Sequence, residues 1–193
     1  MVVGSTPTRP TKEKMKHVNK AIVLDLDGVI ANIATSLENE LYSRDLIEQG
    51  DFEEWLTKDT KNKEILEIFN EPLFWKNMKP YSDAWHQINY WFSLGYDIHI
   101  VTARRQPNAI SETTPWLESW NINTMKPIFC KLGEKIDHIK KIDPIFVIED
   151  NPREIRKIES MGVNCYLRAQ SYNQKYWNEF NTIETLFEID LEN

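Results

Sequence analysis

The chain has 193 residues, 41% of them hydrophobic and 27% charged, with a net charge of −7. That suits one globular domain with a real core and room for a small insertion, and the acidic balance argues against a broad nucleic-acid-binding surface. No apolar run approaches the roughly 20 residues of a membrane span, the start has no signal-peptide stretch, and Cys130 and Cys165 have neither disulfide-framework nor zinc spacing, so a reducing, cytoplasmic setting is expected.

Residues 1–20 mix Pro, Thr, Gly and Lys and read as a flexible tail. Ala21–Leu24 is short, apolar and β-branched, the pattern of a buried strand. Asp25, Leu26, Asp27 and Gly28 then interrupt it. The stretch from Ala34 to Asn70 is rich in Glu, Lys and Leu and helical in character, with an apolar helical stripe at Ile65, Leu66, Ile68 and Phe69 and a break at Gly50. Pro72, Leu73, Phe74 and Trp75 form a cluster ahead of Pro80. Ser82 is a suitable N-cap for a helix to Leu94, which Gly95 ends. Further on, strands are expected at 97–102, 127–130, 145–148 and 165–167. Helices are expected within 107–120, over 135–141 and over 154–161, and the part from Trp177 looks helical, with Ile183, Leu186 and Phe187 on one face. This alternation predicts an α/β fold: a Rossmann-like parallel five-stranded sheet with helices on both faces. The segment 33–79 is too long for a bare loop and reads as a small helical cap inserted after the first strand. The core is then 21–32 with 80–193.

Three strand ends carry polar residues: Asp25 and Asp27, then Thr102 and Arg104, then Glu149 and Asp150. In a parallel sheet such ends share one edge, so they can converge. Carboxylates meeting there repel one another unless a cation sits among them. An all-oxygen donor set without His or Cys favours Mg²⁺ over zinc. Of the two aspartates in the first turn, one carboxylate can attack phosphorus and the other can protonate a leaving oxygen. Gly28 lets the backbone turn close to a phosphate. Thr102 and the backbone N–H groups after it, at Ala103 and Arg104, can donate to phosphate oxygens. A lysine beyond the third strand can neutralise the phosphate, and Lys131 and Lys135 both qualify. Asp150 can complete a metal shell. His99, out of phase with Ile98 and Ile100, reads as a packed strand residue.

Ile22-Val23-Leu24-Asp25-Leu26-Asp27-Gly28-Val29 resembles the first motif of the haloacid dehalogenase (HAD) superfamily. Ile98-His99-Ile100-Val101-Thr102-Ala103-Arg104 is similar to its second motif, and Phe146-Val147-Ile148-Glu149-Asp150-Asn151-Pro152 to its fourth. The resemblance implies that Asp25 is the nucleophile and becomes a phospho-aspartate, and that Asp27 is the general acid and then the base. It implies Mg²⁺ held by the Asp25 side chain, the Asp27 main-chain carbonyl and Asp150, with Glu149 as an outer or water-mediated partner. An acid at Asp27 marks a phosphatase, since the dehalogenases lack one there. Lys135, which opens the helix leading into the fourth strand, is preferred to Lys131 as the third motif.

Glu71-Pro72-Leu73-Phe74-Trp75 with Pro80 and Ala84, and Tyr172-Asn173 after the last expected strand, resemble the 5′(3′)-deoxyribonucleotidase family. In that family cap aromatics stack on the base. Phe74 and Trp75 are the candidates here, ahead of Trp55, although a plain packing cluster would use the same residues. Thr102-Ala103-Arg104 departs from the family's Thr-Ser-Pro. Arg104 either contacts phosphate or pairs with Glu149 or Asp150. The resemblance thus implies a phosphatase of nucleoside monophosphates. Likeness of 95–104 and 149–163 to polynucleotide 3′-phosphatases makes nucleic acid ends the alternative substrate. A non-catalytic binding module on the same fold is the third reading.

Overall fold

The computed structural model describes residues 20–48, 61–131 and 133–191. The expected tail, the break at Gly50 and Trp55 lie outside them. Six strands form one parallel sheet: β1 (Ala21–Leu24), β2 (Asp97–Thr102), β3 (Ile128–Phe129), β4 (Phe146–Glu149), β5 (Cys165–Arg168) and β6 (Thr182–Ile183), in the order β3-β2-β1-β4-β5-β6. Helices α1 (Ile33–Ser43), α2 (Lys61–Phe69), α3 (Pro72–Asn77) and α4 (Ser82–Ser93) separate β1 from β2. Helices α5 (Pro107–Ser119), α6 (Lys135–Ile142) and α7 (Pro152–Glu159) follow β2, β3 and β4.

The sixth strand corrects the expected five, and it replaces the helix expected from Trp177. The chain there makes a 3-10 turn over Ser171–Tyr176, then β6, then a second 3-10 turn over Leu186–Glu188. The free edge of β5 gives the reason. Leu167 N–H donates to the Asn181 carbonyl at 2.9 Å and Ala169 N–H to the Ile183 carbonyl at 2.8 Å. An extended neighbour pairs those edge groups in register. Ile183 and Leu186 are buried, whereas Phe187 is exposed, so the expected common face does not form. Ser82 is likewise the first residue of α4 and not its cap. Tyr81 precedes it with no side-chain cap.

Strand alternation sorts the core into two layers, because successive side chains point to opposite sheet faces. Ile22, Leu24, Ile98, Ile100 and Ile148 pack with Ile88 and Trp91 of α4 and Trp116 of α5. Val23, Val101, Val147 and Leu167 pack with Ile139 of α6 and with Ile155 and Ile158 of α7.

Asp83 of α4 is buried and ties the layers' periphery together. It accepts from Arg168 Nη2 and from Leu186 N–H, each at 2.8 Å, while Arg168 Nη1 reaches the Val29 carbonyl at 3.0 Å. Removing one partner strands a buried charge. Asp83→Ala is therefore expected to lower the unfolding free energy by about 3–5 kcal/mol, read from denaturant melting. A loss well below that would mean that water takes over for the carboxylate.

Candidate active site

Register brings the site together. Leu24 pairs with Ile100 of β2 and with Ile148 of β4. The residues just beyond, Asp25, Thr102, Glu149 and Asp150, therefore emerge at one edge. The strand order reverses between β1 and β4, and open α/β sheets form their binding crevice at that switch point. A cavity of about 250 Å³ opens there, and Asp25, Asp27, Thr102, Ala103, Arg104, Lys135, Glu149 and Asp150 all line it. A larger cavity of about 490 Å³ lies among α1 and α3, but it contains none of the polar strand-end residues.

Asp25 Oδ1 accepts from the Leu26 N–H at 2.7 Å and meets Lys135 Nζ at 2.8 Å. Lys135 Nζ also donates to Glu149 Oε2 at 2.7 Å. Lys131, by contrast, is largely solvent-exposed beside Glu134 at 3.8 Å. Ligand oxygens of Asp25, Glu149 and Asp150 all lie within 4.8 Å of one another. Three carboxylates thus face a single ammonium.

The electrostatics follow from that imbalance. Burial, then the charge of Glu149, pushes Asp25 up to about 8, against the pull of Lys135. Burial and Asp25 push Asp150 up to about 6, and burial raises Glu149. Burial by itself would lower Lys135, but Asp25 and Glu149 outweigh it and hold the ammonium well above its usual range. A buried cluster with surplus negative charge and only oxygen donors fits a hard divalent cation. Asp25 and Asp150 are the side chains that would hold it, with Glu149 beside them tied to Lys135 through Oε2.

Gly28 serves a different neighbour from the one expected. Its φ is +81°, and a Cβ there would collide with the Asp150 carboxylate and the Tyr172 hydroxyl. The close approach of Asp150 by itself requires a glycine there. Tyr172 donates to Asp150 Oδ2, and Asn173 Nδ2 holds the Asp150 carbonyl at 2.9 Å. Tyr172 and Asn173 carry a family likeness in sequence, but nothing in their spacing points to Asp150. The pairing of β5 with β4 and the 3-10 turn after β5 bring them there.

Arg104 pairs with neither Glu149 nor Asp150. Its Nε donates to Asp27 Oδ2 at 2.9 Å and its Nη2 to Asp27 Oδ1 at 2.5 Å. Thr102, fully buried, accepts the Arg104 N–H at 3.3 Å through its hydroxyl oxygen.

The aromatics also distribute differently. Phe74 is buried and faces the larger cavity. Trp75 lines the smaller cavity but is only 2% exposed, with the Arg104 guanidinium 4.7 Å from its ring. Phe69, half-buried at the end of α2, also lines the cavity. Its place in the helical stripe with Ile65 and Ile68 masks that role in the sequence.

The segment 33–79 leaves and returns at neighbouring points. Asn32 N–H donates to the Lys79 carbonyl and Tyr81 N–H to the Ile30 carbonyl, both at 2.9 Å. Trp116 Nε1 of α5 donates to the Met78 carbonyl at 2.6 Å and fastens α3 to the core.

The family model described as 5′ nucleotidase, deoxy (pyrimidine), cytosolic type C protein matches residues 19–185. Among curated proteins, none matches significantly. A haloacid dehalogenase-like hydrolase from Streptococcus pneumoniae superposes with a TM-score of 0.59 at 12% identity, over 88% of this chain and 95% of that one. D,D-heptose 1,7-bisphosphate phosphatase from Burkholderia thailandensis gives 0.54 at 13%, over 86% and 93%. CbbY from Rhodobacter sphaeroides, in complex with phosphate, gives 0.53 at 12%, over 86% and 94%. At these identities the structures share the fold. No helix among the described residues is long and apolar enough to cross a membrane. By its family match and its fold, the chain belongs to the cytosolic type C 5′-deoxynucleotidase family of the HAD superfamily, and it is a phosphoric monoester hydrolase.

Proposed function

We propose that the protein is a Mg²⁺-dependent phosphatase of deoxynucleoside or nucleoside monophosphates that works through a phospho-aspartate at Asp25. The observation that carries this reading is the cluster of Asp25, Glu149 and Asp150 with Lys135 at the switch point of the sheet. A bound Mg²⁺ would supply charge neutralisation for the phosphoryl oxygens and for the crowded carboxylates.

The chain's own residues divide the remaining work. Leu26 N–H and Lys135 hold Asp25 Oδ1, which fixes the orientation of the carboxylate. Asp25 attacks phosphorus as the bond to the leaving oxygen breaks, and Asp27 gives that oxygen its proton. Asp27 then takes a proton from water as the water attacks phosphorus and the bond to Asp25 breaks. Free phosphate leaves and both carboxylates return to their starting state. Thr102 and the Ala103 backbone flank the phosphoryl group, where fixed donors stabilise developing charge.

The segment 33–79 acts as the cap over this edge, and Phe69 is the aromatic that meets the base. Aromatic stacking on a base contributes about 1–3 kcal/mol. Phe69→Ala is expected to raise KM for a deoxynucleoside monophosphate about tenfold, with a much smaller change for p-nitrophenyl phosphate. Equal changes for the two substrates would remove Phe69 from base recognition. A cytoplasmic nucleotide pool is the substrate source that fits.

The reading as a whole is tested by phosphate release with Mg²⁺ from a panel of nucleoside monophosphates, sugar phosphates and 3′-phosphorylated oligonucleotides. Turnover of nucleotides well above the others is expected. Preference for the oligonucleotides would replace the substrate assignment with nucleic acid ends. No release from any monoester would end the catalytic reading.

A further inference from the structure

We propose that Arg104 is a positioning residue for proton transfer by Asp27, held in place by Thr113 and Trp75, and not a donor to the substrate phosphate. This rests on the reading of Asp27 as the proton donor to the leaving oxygen.

Arg104 is 5% exposed, and its guanidinium is committed on every side. The Nε and Nη2 groups form a two-point fork on the Asp27 carboxylate. On the other side, Nη1 donates to Thr113 Oγ1 at 2.9 Å. Thr113 is fully buried in α5, and its hydroxyl donates in turn to the Ala109 carbonyl at 2.6 Å. The Trp75 ring covers one face, and Met78 Sδ lies 4.0 Å from Nη2. A phosphate could reach this guanidinium only by displacing Asp27. The neighbouring Arg105 is exposed at the rim of the same cavity.

The fork has a geometric consequence. A carboxylate offers about four lone-pair positions, and Arg104 takes one on each oxygen. The plane of the Asp27 carboxylate is thereby fixed, with its remaining positions left for a proton passed to or from the substrate side. Asp27 is partly exposed, at 24% of its side chain. Without the fork it would sample several rotamers. Proton transfer to a leaving oxygen needs hydrogen-bond distance and alignment, so a loosened carboxyl group loses most of its catalytic effect. The fork reaches Asp27 from the turn after β2 and is braced by α5, while Trp75 and Met78 come from 33–79. The acid is thus set jointly by the core and the inserted segment.

The test uses how much the leaving group needs a proton. An alkyl phosphate such as a deoxynucleoside monophosphate expels an alkoxide and requires the acid. p-Nitrophenyl phosphate expels a stable anion and does not. The ratio kcat/KM isolates transfer to Asp25 from the later hydrolysis. Arg104→Gln and Arg104→Lys are expected to lower kcat/KM for the nucleotide about 100-fold and for p-nitrophenyl phosphate less than tenfold. Lysine keeps the charge and lacks the fork, so it separates geometry from charge. Thr113→Val removes only the hydroxyl that orients Nη1 and should give a smaller split in the same direction. Asp27→Asn is the reference and should show the largest split.

If Asp27→Asn shows no split, the assignment of Asp27 as proton donor fails. If Asp27→Asn splits while folded Arg104 variants depress both substrates equally or neither, the positioning role is overturned. Should the Arg104 variants fail to fold on thermal melting, Thr113→Val decides alone, and equal effects on the two substrates would overturn the proposal.

Discussion

Asp25→Asn is expected to reduce turnover to below about one part in 10⁴ while leaving the protein folded. The substitution keeps the shape of the side chain, so Leu26 N–H retains an acceptor and the end of β1 keeps its register. What is lost is the nucleophile, since a neutral amide oxygen does not displace an alkoxide from phosphorus. Stability should move the other way. Asp25 sits in a buried cluster where Glu149 and Asp150 repel it and one lysine cannot neutralise all three. At neutral pH the metal-free wild type must take up a proton at Asp25 to relieve that repulsion, a cost that a neutral amide does not carry, so the metal-free variant should melt at or above the wild-type temperature. Brief incubation of wild type with a ³²P-labelled monoester, followed by acid quench, should trap an acyl phosphate that hydroxylamine cleaves, and the variant should carry no label. Residual turnover within tenfold of wild type would remove Asp25 from its role.

Chelation of divalent cations is expected to abolish activity, and Mg²⁺ binding is expected to strengthen as pH rises from about 6 to 8. The direction follows from the shifts. Asp25 is raised from 3.8 to about 8 and Asp150 from 3.8 to about 6 in the folded, metal-free protein. Both therefore bind protons in the fold that they release when unfolded, so the metal-free fold loses stability as pH climbs from about 4 to 8. A cation favours the ionised carboxylates and must displace those protons. Lys135 keeps its proton throughout, because Asp25 and Glu149 hold it above its usual range. Calorimetry at pH 7 in two buffers of different ionisation heat should therefore report net proton release on Mg²⁺ binding. Melting temperature should fall between pH 5 and 8 without Mg²⁺ and stay nearly level with it. Proton uptake, or affinity independent of pH, would mean that the cation is not held by this cluster.

Much of this was legible in the order of the residues. Short apolar runs ending in Asp25, Thr102 and Glu149 are what a buried parallel strand looks like when it opens into a polar edge, because a strand buried on both faces shows no alternation. Asp25, Asp27 and Asp150 could be singled out for the same reason: charge at the end of such a strand is costly without a task. The residues alone left Lys131 and Lys135 both open, and it is Lys135 that meets Asp25 in the fold. The site residues that escaped are those whose meaning depends on a partner. Gly28 read as a turn near phosphate, and its cause is the Asp150 carboxylate, more than a hundred positions along the chain. Phe69 read as one more position of an apolar helical stripe, and Arg104 offered two pairings, neither of them Asp27.

The sequence by itself determined the α/β class, the alternation of elements and the chemical character of the edge, since hydrophobic periodicity and turn chemistry are local properties. Only the tertiary structure decided the sixth strand, the partner of Arg104, the place of Phe69 at the cavity and the side chains that hold Asp150. Each depends on which groups the folded backbone leaves unsatisfied at one place: the open edge of β5, the two oxygens of Asp27, the room beside Gly28. Such vacancies come from packing between distant segments, and no local pattern of residues encodes them.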